Sequence, residues 1–388
     1  MVNTIDLPTD SSTSITIRPV VSSKDYKVFV DYQYDLYTSY PNWVPQLRSE
    51  VKKVLNPKKN PFFEHGKIAP FLAYDQKGNV VGRIAAIVNG MHLKKYNDNT
   101  GFFGFFECNE DYGIAKTLLD TASNWLKEQG LSHVRGPVNP SMNDISGLLV
   151  GGFEHSPSVM MPYNPAYYYE YLSEYGFERA MTMWAYYIHY KYARTEKLKR
   201  GVNLLYRRYP ALKMRHLDMK RFEEDAKNIM DIYNDAWSNN WGHVPMTEAE
   251  FAHMASDMKQ IVDPKIVFIL EDDGYPVAFS LTLPNINMAL KHVRNGHLLP
   301  TGLFQLLLRA KFGGIHEGRT LLMGVRQSHQ GKGLDAMLNL KVIEDLPRDG
   351  YFASEMSWVL DSNKPMMNAM EHMGGTPEKE YVMLEKAL

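Results

Sequence analysis

The run Leu321-Leu322-Met323-Gly324-Val325-Arg326-Gln327-Ser328-His329-Gln330-Gly331-Lys332-Gly333-Leu334-Asp335-Ala336-Met337-Leu338 reads as an apolar strand, a short turn and the start of an amphipathic helix. Two glycines flank Lys332 in the turn. Glycine there lets backbone N–H groups approach a ligand closely, and the helix that opens at Leu334 turns the positive end of its dipole toward the same point. A turn of this kind cradles an anion, and a phosphate suits it best. Leu334, Met337, Leu338, Val342 and Leu346 share one face of the helix, the stripe it needs to lie on a sheet. The unit makes the chain α/β.

Working outward, the chain repeats itself. Residues 70–89 read as a β-hairpin: an apolar strand, a turn at Gly78, and a second apolar strand ending at Asn89. Residues 266–285 repeat this around Gly274 and end at Asn285, with the same spacing from Gly to Asn. A second pair agrees. Asn164 to Gly176 is a helix with Pro165 in its first turn and Gly past its end, and Asn363 to Gly375 has the same layout. Strand-like runs follow each, Met181 to Tyr190 and Glu380 to Leu384, and short strands open each half at Ile15–Val20 and Leu212–Leu217. The expected organisation is a polar tail over 1–14, a first half over 15–192, a basic helical connector over 193–210, and a second half over 211–388.

Length and composition fit two packed cores. The 388 residues are 44% hydrophobic and 22% charged, with a net charge of −1, so a nonspecific nucleic-acid binder is excluded. The single cysteine, Cys108, excludes an internal disulfide framework and a cysteine-based zinc cluster, and no metal is expected. The first fourteen residues lack the basic and apolar regions of a signal peptide, and no apolar stretch is long enough to span a bilayer. A cytoplasmic protein is expected, with peripheral membrane contact still open to it.

The two halves differ where the anion would bind. Gln330-Gly331-Lys332-Gly333 follows the second-half strand, whereas Cys108-Asn109-Glu110-Asp111-Tyr112-Gly113 follows its first-half counterpart Phe102–Glu107. Glu107, Glu110 and Asp111 would repel a pyrophosphate. One phosphate site is therefore expected, in the second half, with the first half serving as scaffold or cleft wall.

These features resemble the GNAT (Gcn5-related N-acetyltransferase) superfamily in tandem form. Its phosphate loop, Gln/Arg-x-x-Gly-x-Gly/Ala, is matched by Gln330 and Gly333, while Asp335 stands where the family has a small residue; Asn363 matches the Asn often found after the fifth strand. The resemblance implies two similar domains, each a mixed, mostly antiparallel sheet flanked by helices. It implies acetyl-CoA or long-chain acyl-CoA as co-substrate, held by Met323, Val325, Gln330, Gly331, Lys332, Gly333, Leu334 and Asn363. A backbone N–H near Met323–Val325 would stabilise the tetrahedral intermediate while an amine attacks the thioester directly. The family's fourth-strand carboxylate and its Tyr after the fifth strand are both missing here, which leaves His243, His297, His329 and Glu355 as candidates for the general base.

Two further segments bear on the acceptor. Asn234 to Pro245, with Trp237, Trp241 and His243, lies where GNAT enzymes build an acceptor pocket. Asn295 to Lys311 is an apolar run between the third and fourth strands of the second half, suited to line an acyl-chain tunnel, rest at a membrane interface or lie buried between the halves. In the first half, Arg135–Asp144 and Tyr163–Tyr167 form a polar and aromatic cluster placed to face the cleft. The Asn-Gly-His-Leu-Leu-Pro and Trp-Gly-x-Val-Pro runs also resemble bacterial ceramide synthase-type N-acyltransferases, which join a long acyl chain to a sphingoid base. The expected function is N-acyl transfer to a lipid amine. Acetyl transfer to a small amine, a non-catalytic acyl-CoA-binding protein and a peptidoglycan-type aminoacyl transferase are the alternatives. Oligomeric state is not encoded in any of these features.

Overall fold

A computed structural model describes residues 15–297 and 314–388. Thirteen strands form one mixed sheet, and two more form a small hairpin. In chain order they are β1 (Thr16–Pro19), β2 (Gly66–Tyr74), β3 (Val80–Asn89), β4 (Thr100–Cys108), β5 (His133–Gly136), β6 (Val138–Asn139), β7 (Ile145–Ser146), β8 (Leu148–Gly151), β9 (Glu178–His189), β10 (Leu212–His216), β11 (Val267–Asp272), β12 (Tyr275–Pro284), β13 (Glu317–Val325), β14 (Ala353–Leu360) and β15 (Thr376–Ala387). The order across the sheet is β1-β2-β3-β4-β5-β15-β9-β14-β13-β12-β11-β10, with β8 on β15.

The duplication is visible in the register. β2 and β3 pair antiparallel around Gly78, and β11 and β12 around Asp273-Gly274. Positive φ at Gly78, Asp273 and Gly274 is the backbone that such tight turns require. β4 runs parallel to β5, and β13 parallel to β14; all other strand pairs in the large sheet are antiparallel.

The two halves are joined by exchanged strands. β9, the last strand of the first half, pairs with β14 of the second, and β15, the last strand of the chain, pairs with β5 of the first. The two exchanged strands also pair with each other. Tyr381, Val382, Met383 and Leu384 of β15 are fully buried, as a strand covered on both faces must be. β15 extends beyond the expected run Glu380–Leu384 at both ends, to Thr376–Ala387; Lys379, just before that run, is buried in an ion pair with Glu355, and Glu380 pairs with Arg179.

The segment 193–210 contains the helix Glu196–Arg208, of which Val202 is the buried residue, leaving its basic residues toward solvent. Among the described residues, no helix is long and apolar enough to cross a membrane. Most of the apolar run expected at 295–311 lies outside the described residues, as does the tail 1–14.

Candidate active site

β13 and β14 share a ladder only from Glu317↔Ala353 to Thr320↔Met356. Just past that point both are bulged: the β12–β13 register shifts at Leu281/Thr282, and the β14–β9 register shifts between Met356 and Val359. A bulge bends its strand and raises its twist, so the two strands part into a V. A cavity of about 510 Å³ fills it, with Leu321–Met323 on one wall, Ser357–Leu360 on the other, and Asn363, Met366 and Met370 below. Beyond Thr320 the facing edge of β13 has lost its neighbour strand, so its backbone groups open onto the cavity.

Three buried polar atoms among the described residues have no hydrogen-bond partner and belong to residues lining this cavity: Asn339 Oδ1, His243 Nε2 and Trp358 Nε1. Leaving such an atom unpaired in the folded state costs about 1–3 kcal/mol. All three belong to side chains packed around the cavity, so its wall holds polar groups that the protein itself leaves unpaired.

His243 is positioned across the halves. The helix Phe222–Trp237 buries Phe222, Ala226, Ile229, Ile232 and Tyr233 along one stripe, and the loop after it carries His243. Lys95 of the first half donates to Ser238 O at 2.8 Å and His243 O at 2.8 Å, and lies 3.0 Å from His243 Nδ1. With the ammonium donating to Nδ1, the ring proton sits on Nε2. Burial, with Lys95 adding to it, lowers His243 to about 4. The imidazole is therefore neutral, with its Nε2–H buried and unpaired beside the cavity. Trp237 Nε1 donates to Met323 O at 3.0 Å, fixing this loop against β13.

The first half also lends a carboxylate. Asn143 Nδ2 donates to Val244 O at 2.9 Å, and Tyr233 OH to Asn143 Oδ1 at 3.1 Å, which locks the loop before β7 onto the loop that carries His243. Its neighbour Asp144 lines the cavity. Burial, reinforced by the charge of Glu250, pushes the Asp144 carboxyl up to about 7. No cationic or hydroxyl side chain among the described residues pairs with it, and only the Ser141 backbone opposes the rise. The other ionisable residues lining the cavity are Tyr233, His243 and Arg319. Arg319 is fully buried, donates to Ser357 Oγ at 2.9 Å and Val159 O at 2.8 Å, and is lowered by burial to about 10.

The other sequence candidates fall elsewhere. Glu355 faces away from the V: Lys379 Nζ is 2.7 Å from its Oε2, and Ser158 and Ser357 donate to the same carboxylate. Burial alone would raise it, but Lys379 and Arg319 hold it below its ordinary value. His297 is exposed at the edge of the described residues. His329 lies 3.1 Å from Asp272 Oδ2, beyond the cavity. Met323 and Asn363 line the V, and Asn363 also caps the helix Lys364–His372. Val325 ends β13, Gln330, Gly331, Lys332, Gly333 and Leu334 lie beyond it, and none of them lines the cavity. Gly331 and Gly333 both hold positive φ, and nothing lies within 4 Å of a Cβ added at Gly331, so the turn presents open backbone. Asp335 is exposed.

The matching V of the first half is closed to such a ligand. Asn139 Oδ1 accepts from Phe105 N at 2.6 Å, filling with an amide oxygen the place on β4 where the second half offers open β13. Glu107 sits in this cleft, accepting from Tyr37 OH at 2.8 Å and Tyr168 OH at 2.9 Å.

A mixed sheet opened between two parallel strands, twice in one chain, is the tandem GNAT fold. A tandem GNAT protein from the clavulanic acid biosynthesis pathway superposes with a TM-score of 0.54 at 11% identity, covering 96% of this chain and 98% of that one. The glucosamine N-acetyltransferase region of a fungal multi-domain β-N-acetylglucosaminidase gives 0.56 at 14%, covering 96% of this chain and 38% of that one. No protein-family model matches. In sequence, the chain is 36% identical to the bacterial ceramide synthase of Caulobacter vibrioides, over 98% of this chain and 100% of that protein. It is 34% identical to the protein YghO of Escherichia coli, over 96% and 95%. The chain belongs to the family these two represent and has the tandem GNAT fold.

Asp144 is the cavity-lining carboxylate that sequence reading did not single out. The segment Arg135–Asp144 was placed to face the cleft, but no spacing separates this aspartate from a turn residue.

Proposed function

We propose that this protein is an acyl-CoA-dependent N-acyltransferase acting on a lipid amine. One observation carries the reading: the V between β13 and β14 holds a cavity whose lining residues include three with an unpaired buried polar atom and Asp144, whose carboxyl has no side-chain partner. The kinship with a protein named bacterial ceramide synthase supports a long-chain amine as acceptor.

The co-substrate supplies an activated acyl group as a thioester. The glycine turn Gln330–Gly333 and the helix N-terminus at Leu334 hold its phosphates, and Asn339 Oδ1 accepts from an amide N–H of its arm. The open edge of β13 near Met323 donates backbone N–H to the thioester oxygen. Asp144 takes a proton from the substrate ammonium, which leaves a neutral amine. The amine nitrogen then attacks the carbonyl carbon; the N–C bond forms, the C–S bond breaks, and the electron pair leaves on sulfur. A second proton from nitrogen ends on that sulfur, and the first passes from Asp144 to solvent. His243 donates a hydrogen bond into the cavity and is not the base, because its Nδ1 is occupied by Lys95.

Thermal denaturation with CoA, acetyl-CoA and palmitoyl-CoA tests the donor site. A ligand at one hundred times its Kd adds about 2.7 kcal/mol to stability, so a clear rise in Tm is expected, largest for palmitoyl-CoA. No shift with any of the three would overturn the proposal.

A further inference from the structure

A second cavity, about 340 Å³, occupies the cleft of the first half. Its walls are largely apolar: Trp43, Leu47, Val54, Phe105, Ile145 and Met160 are among them. Asp144 and Met160 line both cavities, so the two spaces meet at the Asp144 carboxylate. The charged residues lining this second space are Glu50, Arg83, Glu107 and Asp144. Two of them are engaged within the protein: Arg83 donates to Phe29 O at 2.6 Å and lies 3.8 Å from Glu107, and Glu107 accepts from two tyrosines.

We infer that the first-half cavity holds the aliphatic chain of the acceptor, with its amine delivered at Asp144 to the thioester in the second half. The inference rests on the acyltransferase reading and extends it to the acceptor subsite. Among the groups of the two substrates, a protonated amine is the one a buried carboxylate attracts. Once the amine is at Asp144, its chain has two ways to run. The V is taken by the donor; the apolar first-half cavity is free. That cavity cannot be a second donor site, since Asn139 closes the β4 amide and Glu107 repels phosphate. The degenerate half has thus kept its cleft and changed its cargo from a nucleotide thioester to a hydrocarbon.

The test is photo-crosslinking with an eighteen-carbon primary amine carrying a diazirine at its far end. It reads binding and needs no turnover, so it stands apart from the donor experiment above. Labels are expected on peptides containing residues 43–54 and 157–163. Labels confined to residues 319–323 and 356–370, or none above a protein treated with the same probe and excess unlabelled amine, would overturn the inference. Kinetics give a second reading. Each methylene buried in the cavity lowers KM about threefold to fourfold, so KM should fall steadily as the amine is lengthened. Ile145→Trp and, from the opposite wall, Val54→Trp should each raise KM for the long amine at least tenfold, leaving KM for palmitoyl-CoA unchanged. If folded variants at both positions keep the wild-type KM for the amine, or raise that for palmitoyl-CoA instead, the cavity does not hold the acceptor chain.

Discussion

Replacing Asp144 with Asn removes one charge from the junction of the two cavities and leaves its volume unchanged. In the folded chain burial, with Glu250 adding to it, moves this carboxyl from 3.8 to about 7. Two consequences have opposite signs. General-base catalysis by a positioned group contributes roughly 10²–10⁴-fold, so D144N should lower kcat by that factor and abolish the rise of kcat/KM with pH centred near 7. Stability should move the other way. The folded chain holds this proton more tightly than the unfolded chain, so the ionised group weighs against folding only as pH climbs above 3.8, increasingly up to about 7 and constantly beyond. Each pH unit of displacement is worth about 1.4 kcal/mol, and water in the cavities screens part of it, leaving about 1–4 kcal/mol above pH 7. Wild type and D144N should therefore melt together near pH 4, with the variant melting higher at pH 8. Amide formation followed by mass spectrometry from about pH 5 to 9, with melting curves from about pH 4 to 9, measures both. An unchanged pH–rate profile, or a variant less stable at pH 8, would show that Asp144 is a structural group and refute the reasoning.

Gly331→Val should retain the fold, because space is open at that Cβ, yet a positive φ of 72° strains a β-branched residue by about 1–2 kcal/mol; the Tm rise with CoA should disappear. Lys95→Met frees His243 Nδ1 and loosens the Trp237–Val244 loop, so activity with the amine should drop about tenfold while the palmitoyl-CoA melting shift is kept. Glu355→Gln leaves buried Lys379 with Glu378 as its remaining carboxylate partner, which should cost stability in urea unfolding, but less than the roughly 3–5 kcal/mol of a buried charge left wholly unpaired; in variant protein that folds, the activity's pH dependence should not move. Because β9 and β15 complete each other's halves, calorimetry should show one unfolding transition for the whole chain, and Val382→Asp should disrupt both halves together.

Much of the fold was legible because each half carries local signals twice. The hairpins at Gly78 and Asp273-Gly274 and the Asn-capped helix before Gly374 follow from turn and cap chemistry within a few residues. Strand exchange was not legible, since pairing partners are not written in periodicity: β15 reads as a short apolar run until Lys379 and Glu380 find partners far away in the chain. The V was foreseeable only through resemblance, because the bulges that open it depend on register against β12 and β9. Asp144 was hidden for a related reason. Its ionisation is set by Glu250 and by burial between two halves, and its own neighbourhood, Ser141-Met142-Asn143, reads as an ordinary polar turn.

The central claim is acyl transfer from a CoA thioester to a long-chain amine. The most direct measurement incubates the protein with palmitoyl-CoA and an eighteen-carbon amine, following free CoA thiol and the N-acyl product together. The single cysteine, Cys108, is buried, so the folded protein adds little to the thiol signal. Equimolar release of thiol and N-palmitoyl amide, dependent on both substrates and lost in D144N, is the predicted result. Binding of palmitoyl-CoA without amide formation from any amine, long or short, would contradict the account and leave a carrier of acyl-CoA in place of an enzyme.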